Sequence, residues 1–146
     1  MPEAPPKGTA LPDVNVLMAL TNPSHQHHRQ AHQWLATVTR FATTPITECG
    51  LIRLLLNPAV TGQNVSGQQA LTILRRLRSE RRAVFLADSS SLVNAAIDLV
   101  GLAGHRQSTD VHLVNLAASV EGVLITFDRR ITGSLAVRDQ RHVVVL

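Results

Sequence analysis

With 146 residues, 15.8 kDa and a hydrophobic share of 45%, the chain has the size and apolar content of one domain with its own core. A single cysteine, Cys49, excludes an internal disulfide framework, and no apolar run approaches the length of a membrane span. The formal charge of +4 rests on Arg, since the only Lys is Lys7; forked guanidinium groups suit phosphate or an acidic partner, but a GC-rich genome enriches Arg equally well.

Residues 1–9 are Pro-rich and lack the apolar centre of a secretory leader. They are expected to form a flexible N-terminal tail ahead of a single domain over 10–146, in a protein of the cytoplasm with no membrane contact. Ala10-Leu11 reads as a short strand ending at Asp13, with Pro12 allowing pairing on one side only. Val14 to Leu20 is a helix stopped by Asn22-Pro23, and Ser24 caps a second helix running to about Val38. Phe41 to Thr43 is a strand. Thr44-Pro45 opens a helix that continues to Leu56, before Asn57-Pro58. After a polar loop, Ser66 opens a helix to about Arg82. Ala83 to Leu86 is a strand, and Asp88 caps a helix ending near Gly101. Ser108 or Thr109 starts another helix, closed by Gly122. Val123 to Phe127 and Val143 to Leu146 complete the strands. Alternating strands and helices predict a three-layer α/β/α fold around a central, mostly parallel sheet.

The ten acidic residues are few enough to weigh singly. On a helix, positions i+3, i+4 and i+7 share a face with i. From Asp13 these are Val16, Leu17 and Leu20; from Glu48, Leu51, Ile52 and Leu55; from Asp110, Leu113, Val114 and Ala117. Each carboxylate heads a stripe that must face the core. Asp128 follows the apolar strand Val123–Phe127 directly. A buried carboxylate costs several kcal/mol unless it is compensated, and helix N-termini compensate only in part. All four positions fall just after strands or in first helical turns, at the sheet edge where ligands bind in parallel α/β folds. Clustered like charges call for a cation, and an oxygen-only ligand set selects Mg²⁺ or Mn²⁺. Asp88 also follows a strand, but the serines after it favour a helix cap, which leaves it an outside candidate for the site.

The stretches Asp13-Val14-Asn15-Val16-Leu17, Thr44-Pro45-Ile46-Thr47-Glu48, Thr109-Asp110-Val111-His112-Leu113 and Thr126-Phe127-Asp128-Arg129 carry a resemblance. In order and spacing they are similar to the motifs of PIN-domain proteins, in particular VapC toxins of bacterial toxin–antitoxin pairs. The likeness runs from about Leu11 to the C-terminus, and it is the ordered set of four that is specific. It implies a Mg²⁺- or Mn²⁺-dependent endoribonuclease, inhibition by a cognate VapB-type antitoxin, and a homodimer. The family's four acidic positions map onto Asp13, Glu48, Asp110 and Asp128, with Asn15 and Thr126 as supporting groups. Asp13 and Asp110 are the expected direct metal contacts, while Glu48 and Asp128 act through water or as the base. Pro12 departs from the aliphatic residue common at that position, which bears on the length of the first strand.

Arg129 and Arg130, beside Asp128, are the candidate RNA contacts. Arg75, Arg76, Arg78, Arg81 and Arg82 are also available to RNA, but fit a solvated face or an antitoxin contact better. An aromatic content of 3% with no Tyr argues against base stacking on an aromatic platform. His28 and His32 lie one turn apart, but no Glu stands between them and no third ligand is evident, so they read as a surface helix. An aspartyl-phosphate or receiver mechanism needs a site Lys, which the chain lacks. The remaining alternative is a catalytically silent PIN-like domain that only binds RNA or protein.

Overall fold

The computed structural model describes residues 8–105 and 107–146. The tail expected over residues 1–7 lies outside the described residues. Gly8 and Thr9, assigned by composition to that tail, already hold to the fold. Gly8 N–H donates to Glu121 O at 3.1 Å, Val123 N–H donates to Thr9 O at 3.2 Å, and Thr9 is buried. Pairing of the first strand with its neighbour begins there, so the domain takes in both residues.

Five strands, β1 (Ala10–Pro12), β2 (Phe41–Thr43), β3 (Ala83–Phe85), β4 (Val123–Thr126) and β5 (Val143–Val145), form one sheet in the order β3-β2-β1-β4-β5. Every pairing is parallel. The chain builds outward from β1 to β3 on one side, then returns to lay β4 and β5 on the other. The topological switch point, where parallel sheets open a crevice beyond their strand ends, therefore lies between β1 and β4. Pro12 pairs with Ile125 of β4, while the recorded register with β2 is at Ala10 and Phe41.

Two-residue alternation along the strands divides the interior into two cores. Ala10, Phe41 and Ile125 face one, packed by α1 (Val14–Thr21), α2 (His28–Leu35), α3 (Pro45–Leu55) and α5 (Gly67–Ser79). Leu11, Ala42 and Leu124 face the other, under α6 (Ser108–Ser119). Two short helices complete the set, α4 (Pro58–Thr61) and α7 (Arg130–Gly133). This is the three-layer arrangement expected from the sequence, with a wholly parallel sheet.

Several element boundaries differ from expectation, each through a local hydrogen bond. The second helix starts at His28 rather than after Ser24, because the Asn22 side chain takes Ser24 N–H and the His25 ring takes His27 N–H, making turns instead. His28 and His32 are not idle surface groups. Their rings donate to Ala19 O at 2.7 Å and Leu20 O at 2.9 Å, satisfying carbonyls at the end of α1. α5 stops at Ser79, since Glu80 turns extended and accepts Arg82 N–H. Asn57 caps α4 inside the expected polar loop. The helix expected after Asp88 is replaced by 3₁₀ turns over Leu92–Asn94 and Leu99–Gly101, capped by Ser91 and Asp98. Finally, α6 ends before Glu121, which takes the left-handed φ of 54°. Gly122 serves a different need: a Cβ there would lie 2.4 Å from Thr9 O.

Candidate active site

Asp13 leaves β1 and caps α1. Its Oδ1 accepts Val16 N–H at 3.0 Å and its Oδ2 accepts the Thr126 hydroxyl at 2.6 Å. Its backbone N–H donates to Ile125 O at 2.9 Å, which ties the end of β1 to β4. Only 6% of the residue is exposed. Burial pushes its carboxyl above the ordinary range; the bonds from Thr126, Val16 and Asn15 offset part of that, and Asp128 adds repulsion. Thr126 is buried at the end of β4 and links two acids, because its Oγ1 also accepts Asp128 N–H at 3.0 Å.

Asp110 enters from the first turn of α6 and is half-buried. Burial raises its carboxyl as well, followed by repulsion from Asp13 and from Asp128, with Arg130 working the other way. Asp128 is held low by its hydrogen bond from Arg130. The Arg130 guanidinium clamps both oxygens, Nε to Oδ1 and Nη2 to Oδ2, each at 3.0 Å, and the Arg130 backbone N–H adds a third bond at 2.9 Å. Asp110, Asp128 and Arg130 share a cavity of about 290 Å³ with Gln107, Ile131 and Ser134. Gln107, which sequence reasoning does not single out, is notable because its buried Oε1 has no hydrogen-bond partner. Nothing in the sequence separates it from any other polar residue before a helix.

Neither Glu48 nor Asp13 lines that cavity. Glu48 lies in the first turn of α3, accepts the Thr43 hydroxyl at 2.6 Å, and faces Arg78 Nε at 3.6 Å. It lines the groove between α3 and α5 rather than the aspartate cavity. Asn15 and Arg129 are exposed, Asn15 giving its backbone N–H to Asp13 and Arg129 preceding α7. Asp88 is not a helix cap. Its carboxylate accepts Ser90 N–H and Oγ and pairs with His112 Nε2 at 2.5 Å.

Among the described residues no three His, Cys, Asp or Glu side chains converge as a ready metal-ligand group. The donor chemistry nevertheless suits a hard cation: the candidate ligands are all carboxylate oxygens, and two of them are raised by burial and mutual repulsion. Positive charge is already drawn there, since the Arg130 guanidinium neutralises Asp128 and is itself stabilised by Asp110.

Sequence comparison identifies the family. A family model described as "PIN domain" matches residues 10–133, which contain all four acids. The chain belongs to the PIN-domain family. Among curated relatives, this PIN domain is 40% identical to "Ribonuclease VapC39" of Mycobacterium tuberculosis over 129 residues, covering 86% of the chain and 93% of the relative. It is 40% identical to "Ribonuclease VapC38" of the same species over 121 residues, 82% and 84% of the two chains. "Ribonuclease VapC29", again of that species, is 39% identical over 121 residues, 82% and 86% of the two chains.

Proposed function

We propose that the chain is a metal-dependent endoribonuclease, the toxin of a VapBC-type pair, with Asp13, Glu48, Asp110 and Asp128 as its acidic site. The observation that carries this reading is the Thr126 hydroxyl joining Asp13 and Asp128 across the β1–β4 switch point, with Asp110 in the same cavity as Asp128. Like charges assembled there at an energetic cost are the mark of a functional site rather than of a folding device. The relatives' being named ribonucleases supports RNA as substrate, and a VapB-type antitoxin is the partner this reading implies. A homodimer and a cytoplasmic setting belong to the same reading.

Asp13 and Asp110 would hold Mg²⁺ or Mn²⁺ directly, with Glu48 and Asp128 reaching it through water or acting as the base. The bound ion supplies an acidified water and neutralises charge on the departing oxygen. The chain's own residues do the rest. Thr126 fixes the Asp13 carboxylate by its hydroxyl and carries Asp128 on the same oxygen. Thr43 orients Glu48 in the same manner. Arg129 and Arg130 are exposed beside Asp128, where a phosphate backbone approaches. Water adds to phosphorus and the 3′-oxygen leaves with a proton, giving a 3′-OH and a 5′-phosphate.

Asp13→Asn tests the reading, because Asn remains a good helix cap while losing the charge. Cleavage of RNA is expected to fall roughly a hundredfold or more with the fold intact. Full activity at saturating metal would contradict the site. The clamp of Arg130 on Asp128 favours a second reading, a silent RNA- or protein-binding domain. Calorimetric titration with Mn²⁺ separates the two, since a silent domain shows no binding that depends on Asp13.

A further inference from the structure

Aromatic side chains make up 3% of this chain, and most of them are where folding needs them. Trp34 and Phe41 are buried and Phe127 is half-buried under the His27 ring. Phe85 is the exception, with 47% of its surface exposed at the end of the edge strand β3. A large apolar ring left in water at a strand end calls for a reason.

Its place in the sheet supplies one. Phe85 is in register with Thr43, and Pro12 with Ile125. Carrying the Ala10–Phe41 register forward two residues sets Thr43 level with Pro12. Phe85 therefore stands at the same height in the sheet as the residues just before Asp13 and Thr126. Two strand spacings separate β3 from β1, about 10 Å. The nucleotides flanking a scissile phosphate span such a separation.

Arg78 of α5 bridges the interval. Its guanidinium carbon lies 4.8 Å from the Phe85 ring centroid, and its Nε is 3.6 Å from Glu48 Oε2. The Arg78 side chain is 47% exposed, so ring and guanidinium both meet solvent. Two π-surfaces beside Glu48, level with the end of β1, offer what an unstacked base requires, and the Arg charge also attracts the neighbouring phosphate. Arg82, farther along the same basic stretch, is engaged elsewhere, donating to Leu35 O at 2.6 Å and pairing with Glu80.

We propose that Phe85 and Arg78 form a stacking subsite for a nucleobase of single-stranded RNA, beside the acidic site. The proposal rests on the ribonuclease reading of that site. Stacking of this kind tolerates any base and requires an unpaired one, so the subsite selects single strands over duplexes.

The test uses the full chain in EDTA, which prevents cleavage, and a single-stranded RNA oligonucleotide containing 2-aminopurine, whose fluorescence is quenched by stacking. Binding by the wild type is expected to quench the probe. Phe85→Leu keeps an apolar side chain but is expected to weaken binding about tenfold and to lose the quench, while Phe85→Trp keeps both. Arg78→Lys, which retains the charge but not the plane, is expected to weaken binding severalfold, and it serves if Phe85→Leu proves unfolded by circular dichroism. Unchanged affinity and quench in the folded variants overturn the subsite while leaving the ribonuclease reading in place. Variants that bind RNA normally but lose a partner protein assign the face to protein contact and also overturn it. A wild type that neither binds nor, with Mn²⁺, cleaves single-stranded RNA removes the ribonuclease reading itself.

Discussion

Asp13 concentrates the conflict between folding and function in one side chain. Its carboxyl and that of Asp110 are raised, so at mildly acidic pH the folded protein keeps protons that the unfolded chain has released. Stability of the metal-free protein is therefore greatest below about pH 4 as far as these two groups decide it, falls as pH rises through that value, and levels off once their raised pKa values are passed. The Asp128–Arg130 pair has the opposite sign, but it is solvent-exposed and screened. Thermal melts in EDTA across this range are expected to show the decline, and Asp13→Asn to flatten it while raising Tm at neutral pH. Arg130→Gln removes the guanidinium from both Asp128 oxygens and leaves only the backbone N–H bond to Oδ1. Calorimetry is expected to find tighter Mn²⁺ binding in that variant, and equal or weaker binding would mean that guanidinium and metal do not compete. Asp13 is legible in the sequence because it heads an apolar helical stripe; the clamp on Asp128 is not, since adjacency in sequence does not say where a flexible Arg turns.

The elements act as a frame that fixes these side chains. Thr44 opens α3, and its hydroxyl donates to Leu86 O at 2.7 Å, fastening the helix that carries Glu48 to the end of β3. Gly50 sets how close α3 comes to α1: a Cβ there would lie 2.5 Å from Val14 Cγ2, directly after Asp13. Gly50→Ala is expected to cost about 1–3 kcal/mol in denaturant melts, because stiff Val14 can yield only by moving the start of α1. Gly122→Ala should cost at least as much, as its Cβ would meet the Thr9 carbonyl rather than a side chain. Strands and long helices are readable from apolar periodicity, and α1, α3 and α6 begin close to where caps and prolines place them. The region after Asp88 defeats such reading because Ser90 and His112 compete for the carboxylate that a helix cap would need free.

Across the whole molecule, the switch point between β1 and β4 brings together residues more than a hundred positions apart, as the Thr126–Asp13 bond shows. Such a site stabilises the fold only when its charge is met. Mg²⁺ or Mn²⁺ at a hundred times its dissociation constant is expected to add about 2.7 kcal/mol, seen as a rise in Tm that EDTA reverses. No change in Tm would contradict a metal site in the folded state.

The sequence alone determined the layer architecture, the family, and which acids stand out, because each of those is written in local pattern: short apolar strands between helices, helical stripes and carboxylates where apolar residues belong. Tertiary structure decided which acids meet. Thr126 ties Asp13 to Asp128, Asp110 shares a cavity with Asp128, Glu48 is turned to Thr43 and Arg78, and an Arg from α5 finds an exposed ring on β3. These outcomes depend on strand order and register, which are set by the packing of whole helices on the sheet rather than by any short stretch of residues.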